Sequence, residues 1–278
     1  CSACNKVLLA QKSIPKLDHT PGEWIVDREA TCVREGIRHT ECEECGNVLK
    51  TETLDKLPHS YVDRICENCG ALDYSKGLEF KSNYNGTYTL TGIGTCSDEK
   101  VIVPDTYNGK PVTEIGREAF GGCLQITHLI LPESVVEIGT SAFEDCSSLC
   151  SVVFSDVTES IGMYAFANCS LQTLRIPDSV TSIEYGAFSD CTALTSVVLS
   201  SSLDKISGSV FSGCSKLQSV VVPGSVETIE KFAFADCGGL ETVTFGEGLR
   251  TIGHWSFTEC IRLTRVVVPD TVTTINSS

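Results

Sequence analysis

At 278 residues and 41% hydrophobic, the chain can bury a sizeable core and should hold about two domains. No apolar run approaches the ~18 to 20 residues of a membrane helix, and CSACNKVLLAQK at the start lacks the layout of a signal peptide, so membrane insertion is not expected. The formal charge of −15, from 36 acids spread among 21 bases without a basic cluster, argues against nucleic acid and anionic membrane surfaces as partners.

Residues 1–75 are set apart by their cysteines and histidines. His19, Cys32, Cys42 and Cys45 give H-x12-C-x9-C-x2-C, and His59, Cys66 and Cys69 give a shortened H-x6-C-x2-C in which the stretch containing Cys32 is missing. Cys1 and Cys4 end a truncated third copy, so the chain reads as a piece of a longer protein. CxxC followed by Gly is the knuckle that lets two thiolates approach one ion, and three Cys with one His make a closed tetrahedral zinc site. Structural zinc is therefore expected on His19, Cys32, Cys42 and Cys45. The second set has three ligands and must borrow a fourth, such as His39, or stay empty. Disulfides are the competing reading, because an extracellular setting permits them, and metal-free thiols are a third. The segment has little core beyond Trp24, Ile25, Val26, Val48, Leu49, Leu54 and Leu57, so it needs a staple and is expected to be small and irregular.

From residue 116 the sequence repeats every 23 residues through 275, in seven units such as EYGAFSDCTALTSVVLSSSLDKI (184–206) and EKFAFADCGGLETVTFGEGLRTI (230–252). A period in this range decides the architecture: each unit is one coil that cannot bury its apolar face alone, and stacking the coils makes a solenoid. Leu194, Val197 and Leu199 carry LxxLxL spacing, whose period-2 part is a short strand with Val197 and Leu199 inward. Phe120, Phe143, Phe166, Phe188, Phe211, Phe234 and Phe257 are expected to form one internal ladder, and the isoleucines from Ile138 to Ile275 another. Cys123, Cys146, Cys169, Cys191, Cys214, Cys237 and Cys260 should stack as buried free thiols, since parallel neighbours cannot reach disulfide geometry without distortion. The third unit (162–183) is one residue short and Val157 departs from the pattern, so an irregularity is expected there.

These motifs, AFxxCxxL with a hydrophobic strand and a closing Ile, written almost unbroken in Ala187 to Ile206 and Ala233 to Ile252, resemble the BspA-type leucine-rich repeat of bacterial surface proteins. GTYTLTGIGTCSDEKVIVPDTYNGKPVTEI, residues 86–115, is similar to the segment that opens such arrays, so 78–115 is expected to be an N-terminal cap and first coil. The resemblance implies a β-rich solenoid, an extracellular or cell-surface location, and adhesion to a host, matrix or other cell-surface protein. It also implies that Cys and His modules can accompany such arrays.

No nucleophile elbow, P-loop, dinucleotide fingerprint or hydrolytic metal motif is present, and the chain does not read as an enzyme. The candidate contact surface is the outward row of the sheet: Ile130, Val153, Arg175, Val198, Val221, Thr244 and Val267, beside His128, Ser151, Thr173, Ser196, Ser219, Thr242 and Arg265. An apolar strip rimmed by hydroxyls suits a protein partner. The plainer reading is that β-branched residues merely suit strands, and the alternative role is a structural spacer or stalk.

Overall fold

The computed structural model describes residues 20–62 and 64–277 and divides into two compact units between Asp73 and Tyr74. In the first unit, β1 (Pro21–Arg28), β2 (Gly36–Cys42) and β3 (Val48–Leu54) form an antiparallel sheet in that order, so the segment is more regular than its composition suggests. A two-residue hairpin follows, β4 (Tyr61–Val62) with β5 (Ile65–Cys66). Its hydrophobic side chains do not form the expected core: Trp24, Ile25, Val26, Val48, Leu49 and Leu57 are all exposed. The buried apolar side chains of this unit, among the described residues, are Cys32, Cys42 and Cys66.

The second unit opens with a hairpin, β6 (Glu79–Ser82) against β7 (Tyr88–Gly92), which covers one end of the array. The first coil follows with β8 (Lys100–Ile102), a short β9 (Thr106–Tyr107) and β10 (Lys110–Ile115). β10 pairs parallel with β7 on one side and with the next coil on the other.

The repeats then alternate two strand positions. They are β11 (His128–Ile130) and β12 (Glu137–Ile138), β13 (Ser151–Val153) and β14 (Ser160–Ile161), and β15 (Thr173–Arg175) and β16 (Ser182–Ile183). Next come β17 (Ser196–Val198) and β18 (Lys205–Ile206), β19 (Ser219–Val222) and β20 (Thr228–Ile229), and β21 (Thr242–Phe245) and β22 (Thr251–Ile252), with β23 (Thr274–Ile275) in the last coil. Equivalent residues pair in parallel register one coil apart, as in Leu129 with Val152 and Ile229 with Ile252. Tight turns close each strand, with Val135, Val180, Val226 and Val272 N–H donated to the carbonyls of Pro132, Pro177, Pro223 and Pro269.

Two breaks interrupt these ladders. Strand β13 is not paired with β15, at the junction of the irregular second unit and the short third one. β16 and β18 are also unpaired. At the other coil steps the N–H after each closing isoleucine bonds to the preceding coil's isoleucine carbonyl, as Gly162 does to Ile138; at this step the Ser207 hydroxyl donates to Ile183 instead. Coils approach closely at Gly139, Gly162 and Gly253, where an added Cβ would lie 2.7 to 2.8 Å from the backbone of the coil below, and closer still at Gly246 and Gly248, where it would meet the backbone of Gly224.

The phenylalanine ladder is continuous. Ring centroids are 4.9, 5.0, 5.4, 5.7, 5.6 and 5.3 Å apart from Phe120 to Phe257, with planes tilted by no more than 14°. These spacings suit offset stacking, and six of the seven rings are fully buried. The isoleucines from Ile138 to Ile252 are buried too, whereas Ile275 is exposed at the open end.

The thiol row beside this ladder has a specific bonding role. Cys146 Sγ donates to the Phe120 carbonyl at 3.0 Å, and Cys169, Cys191, Cys214, Cys237 and Cys260 repeat the contact to Phe143, Phe166, Phe188, Phe211 and Phe234 at 3.1 to 3.3 Å. Each carbonyl from Phe120 to Phe211, Cys191's turn apart, also accepts the N–H of the cysteine three residues on, as Cys146 N does to Phe143. A small side chain with a weak donor fits this crowded turn where a larger one would not. Burial pushes the thiols up to about 12 at Cys146 and Cys191, and well above the ordinary thiol range at Cys214.

Phe188→Ala should therefore destabilise the solenoid by about 3 to 5 kcal/mol, and Phe257→Ala, half-buried in the last coil, by clearly less; chemical denaturation of the two variants gives the comparison. Iodoacetamide at mildly alkaline pH should leave Cys146, Cys191 and Cys214 unmodified in the folded protein and alkylate them in denaturant. Peptide mapping that found them modified in the native state would contradict the bonding described above.

Candidate functional site

In the first unit the β1–β2 hairpin carries Cys32 at its tip. The turn is built locally: Thr31 N–H bonds to the Arg34 carbonyl, and Arg34 N–H to the Thr31 hydroxyl. Gly36 is required because a Cβ there would meet Ala30 N at 2.7 Å and the Arg28 carbonyl at 2.8 Å. Leu57 N–H reaches back to the Thr31 carbonyl, which brings the connection before His59 alongside the tip.

The hairpin β4–β5 then delivers the second knuckle. Arg64 turns at φ 68°, and its guanidinium holds the Asp73 carbonyl at 2.6 and 2.9 Å, closing the small loop behind Cys66 and Cys69. The result is a cluster: one donor atom from each of Cys32, His59, Cys66 and Cys69 lies within 4.8 Å of all the others. Cys32 Sγ is 3.8 Å from Cys66 Sγ, and Cys69 Sγ is 3.4 Å from His59 Nδ1.

This set fits zinc. Sulfurs about 2.3 Å and nitrogens about 2.0 Å from a tetrahedral ion stand ~3.8 Å apart for a sulfur pair and ~3.5 Å for sulfur and nitrogen. The two measured separations match those edges. His59 holds the Cys66 thiol down to about 6, whereas burial, with Cys69 and Cys66 beside it, pushes Cys32 up to about 11.

The grouping differs from the spacing-based one. Cys32, expected with His19, Cys42 and Cys45, stands with His59, Cys66 and Cys69, because the hairpin projects its tip away from its own knuckle. Cys42 is buried at the end of β2 and Cys45 is exposed after it; His19, with Cys1 and Cys4, lies outside the described residues. His39, the ligand expected to be borrowed, faces elsewhere, with Nδ1 2.7 Å from Asp27 and Nε2 3.1 Å from Glu41.

In the second unit the alternation places the outward row from β11 to β21, but it ends there: Arg265 and Val267 of the last coil lie outside any strand, and Val266, Val267 and Val268 are all exposed. His128, Thr173, Arg175, Ser196, Ser219, Thr242, Thr244 and Arg265 are exposed, Ser151 and Ile130 half-buried, and Val153, Val198, Val221 and Val267 are exposed by 52, 52, 64 and 70%. The row extends one coil further than the repeats: Ile102 aligns with Ile130 in the β8–β11 register. That first position is covered, since Ile102 is buried and exchanges bonds with Ser75, its N–H to the hydroxyl at 3.0 Å and its carbonyl from the Ser75 N–H at 2.9 Å. The sequence signal for this extra strand was the VIVP of residues 101–104, matching VVVP at 220–223.

Residues 113–237 and 205–278 match the family described as BspA type leucine-rich repeat region. The chain belongs to this BspA-type family. A leucine-rich repeat protein of T. pallidum is 29% identical and superimposes with a TM-score of 0.63, over 71% of this chain and 90% of that one. Another, from Bacteroides ovatus ATCC 8483, is 27% identical with a TM-score of 0.54, over 72% of this chain and 60% of its own. No curated protein matches the chain. The Cys/His unit lies outside the residues matched to the BspA-type repeat, so its chemistry rests on its own geometry.

The paired contacts of His39 give a pH dependence. Hydrogen bonds that the His39 ring donates to the carboxylates of Asp27 first, then Glu41, raise its pKa above 6.5, so the stabilisation is fully present below about 6.5, the unfolded value, and is lost as pH rises through the higher folded value. His39→Gln should lower the melting midpoint of the first unit at mildly acidic pH and barely at alkaline pH. An equal loss at both would rule this out.

Proposed function

We propose that this chain is a protein-binding and adhesion module of a secreted or cell-surface bacterial protein, and that it engages a host, matrix or other surface protein through the outward row of its solenoid sheet. The observation that carries the reading is the exposed apolar strip. Val153 on β13, Val198 on β17 and Val221 on β19 are each half or more exposed, as is Val267 in the last coil beyond the strands. They are flanked by Ser151, Ser196, Ser219 and Thr242, with Arg175 in the row. Coils about 4.8 Å apart spread the seven positions over ~29 Å, the length of a protein contact.

Solitary exposed valines need no explanation, but Val198 and Val221 are neighbours in the paired strands β17 and β19, rimmed by Ser196 and Ser219, and such a paired apolar patch favours a partner. Arginine beside it supplies a directed, charge-assisted contact of the kind concentrated at binding hot spots. Binding by a preformed parallel sheet also needs no loop ordering, which lowers the entropic cost. The first unit is read as a structural zinc module: four protein ligands close the coordination sphere and leave no position for substrate.

Val198→Glu and Val221→Glu together test the reading. Capture of surface proteins by the purified chain should fall at least tenfold while its circular dichroism and melting midpoint stay unchanged, because both side chains point to solvent. Undiminished binding of every captured partner would remove the sheet face as the site and leave the spacer role.

A further inference from the structure

The zinc reading above leaves open which modules the ion serves, and the geometry points to a shared site. We propose that zinc bridges two consecutive modules, with Cys32 of the longer module completing the His59, Cys66 and Cys69 set of the shorter one, so that the ion is a cross-link between modules rather than a staple within either. The proposal rests on the zinc reading.

Three observations carry it. The first is the partition of donors. The shorter module has a histidine and a knuckle but no counterpart of Cys32, and Cys32 stands 3.8 Å from Cys66. Its deficiency in sequence is thus made good by its neighbour in space.

The second is that the two knuckles are the same structure. Gly46 N–H bonds to the Cys42 carbonyl at 2.9 Å and Gly70 N–H to Cys66 at 2.8 Å; Cys42 and Cys66 N–H both reach residues five further on, Asn47 and Ala71, at 2.8 Å. Gly46 and Gly70 turn at φ 68° and 73° with open space around them, so the glycine is there for the backbone conformation alone. Cys42 and Cys45 are therefore shaped as a two-thiolate knuckle of the same kind. With Cys32 committed forward, that knuckle would draw on a donor other than Cys32. The result is a hand-over: Cys32 serves the Cys66 and Cys69 knuckle of the next module rather than Cys42 and Cys45, the pair that follows it in its own.

The third is the lack of an apolar centre in this unit among the described residues. Its buried apolar side chains are Cys32, Cys42 and Cys66, two of them in the cluster. Without an ion, the tip of the β1–β2 hairpin and the β4–β5 hairpin are joined by the Leu57 to Thr31 backbone bond and thiol contacts.

Zinc content and cobalt substitution of the whole chain test this, with Cys32→Ser, Cys66→Ser and Cys42→Ser compared. Cys32→Ser and Cys66→Ser should each abolish the same tightly held ion, the double variant should lose no more than either single one, and Cys42→Ser should keep that ion. Cys32→His restores a donor and guards against simple misfolding; it should regain the ion, with the thiolate-to-cobalt band reduced by about one third as three thiolates become two. If Cys42→Ser removes the ion that Cys32→Ser removes while Cys66→Ser leaves it, the hand-over is wrong and zinc belongs within the longer module. If the unaltered chain takes up no tightly held zinc or cobalt, the zinc reading itself fails and the shared site with it.

Discussion

Parallel hydrogen bonding between coils sets a fixed step of about 4.8 Å, and the solenoid follows from that step. Once a strand is in register with its neighbour, every residue stands over its equivalent in the coil below, so a position can be filled only by a side chain that packs well against itself. Phenylalanine satisfies this by offset stacking, with centroids 4.9 to 5.7 Å apart. The slightly larger ring spacing is accommodated by tilt and offset between adjacent rings. Isoleucine satisfies the same condition by interlocking branched side chains at the second strand position.

The same step explains the cysteines. A turn carbonyl on a phenylalanine has two lone pairs, and one is taken by its own turn. The thiol one coil up reaches the other, so a polar group is satisfied without adding volume. Unsatisfied buried carbonyls cost about 1 to 3 kcal/mol, and repetition multiplies the gain along the stack. Burial that makes these sulfurs poor nucleophiles is a by-product of this structural use.

The first unit follows the opposite logic. Its sheet is antiparallel and two-sided, its aromatic and aliphatic side chains lie largely in solvent, and Arg38 packs 4.2 Å over the Trp24 ring while pairing with Glu52. Such surface contacts add little. The sulfur and imidazole cluster is where a strong, local interaction can act. A small segment without an apolar centre gains most from a metal, because binding energy is then folding energy.

How much was legible depended on whether neighbours were periodic. The sequence alone determined the solenoid, the inward and outward sides of its strands, the ladders of Phe120 to Phe257, the thiol row, and the place where the short third unit disturbs the sheet, since a strict period forces like onto like without knowledge of anything distant. It could not reveal that Ser207 replaces a backbone bond to Ile183, or that Ser75 covers Ile102, because both depend on local departures from that period. In the Cys/His unit, spacing marked both CxxC turns but grouped Cys32 with His19, Cys42 and Cys45, whereas the fold places it beside His59, Cys66 and Cys69. Proximity in sequence is a poor guide where a hairpin seven residues across at its turn swings one cysteine away from its own module. Only the tertiary structure decided that Cys32 meets His59, Cys66 and Cys69, because that meeting is made by the tight turn at Gly36 and the return of the chain at Leu57, not by any pattern along the chain.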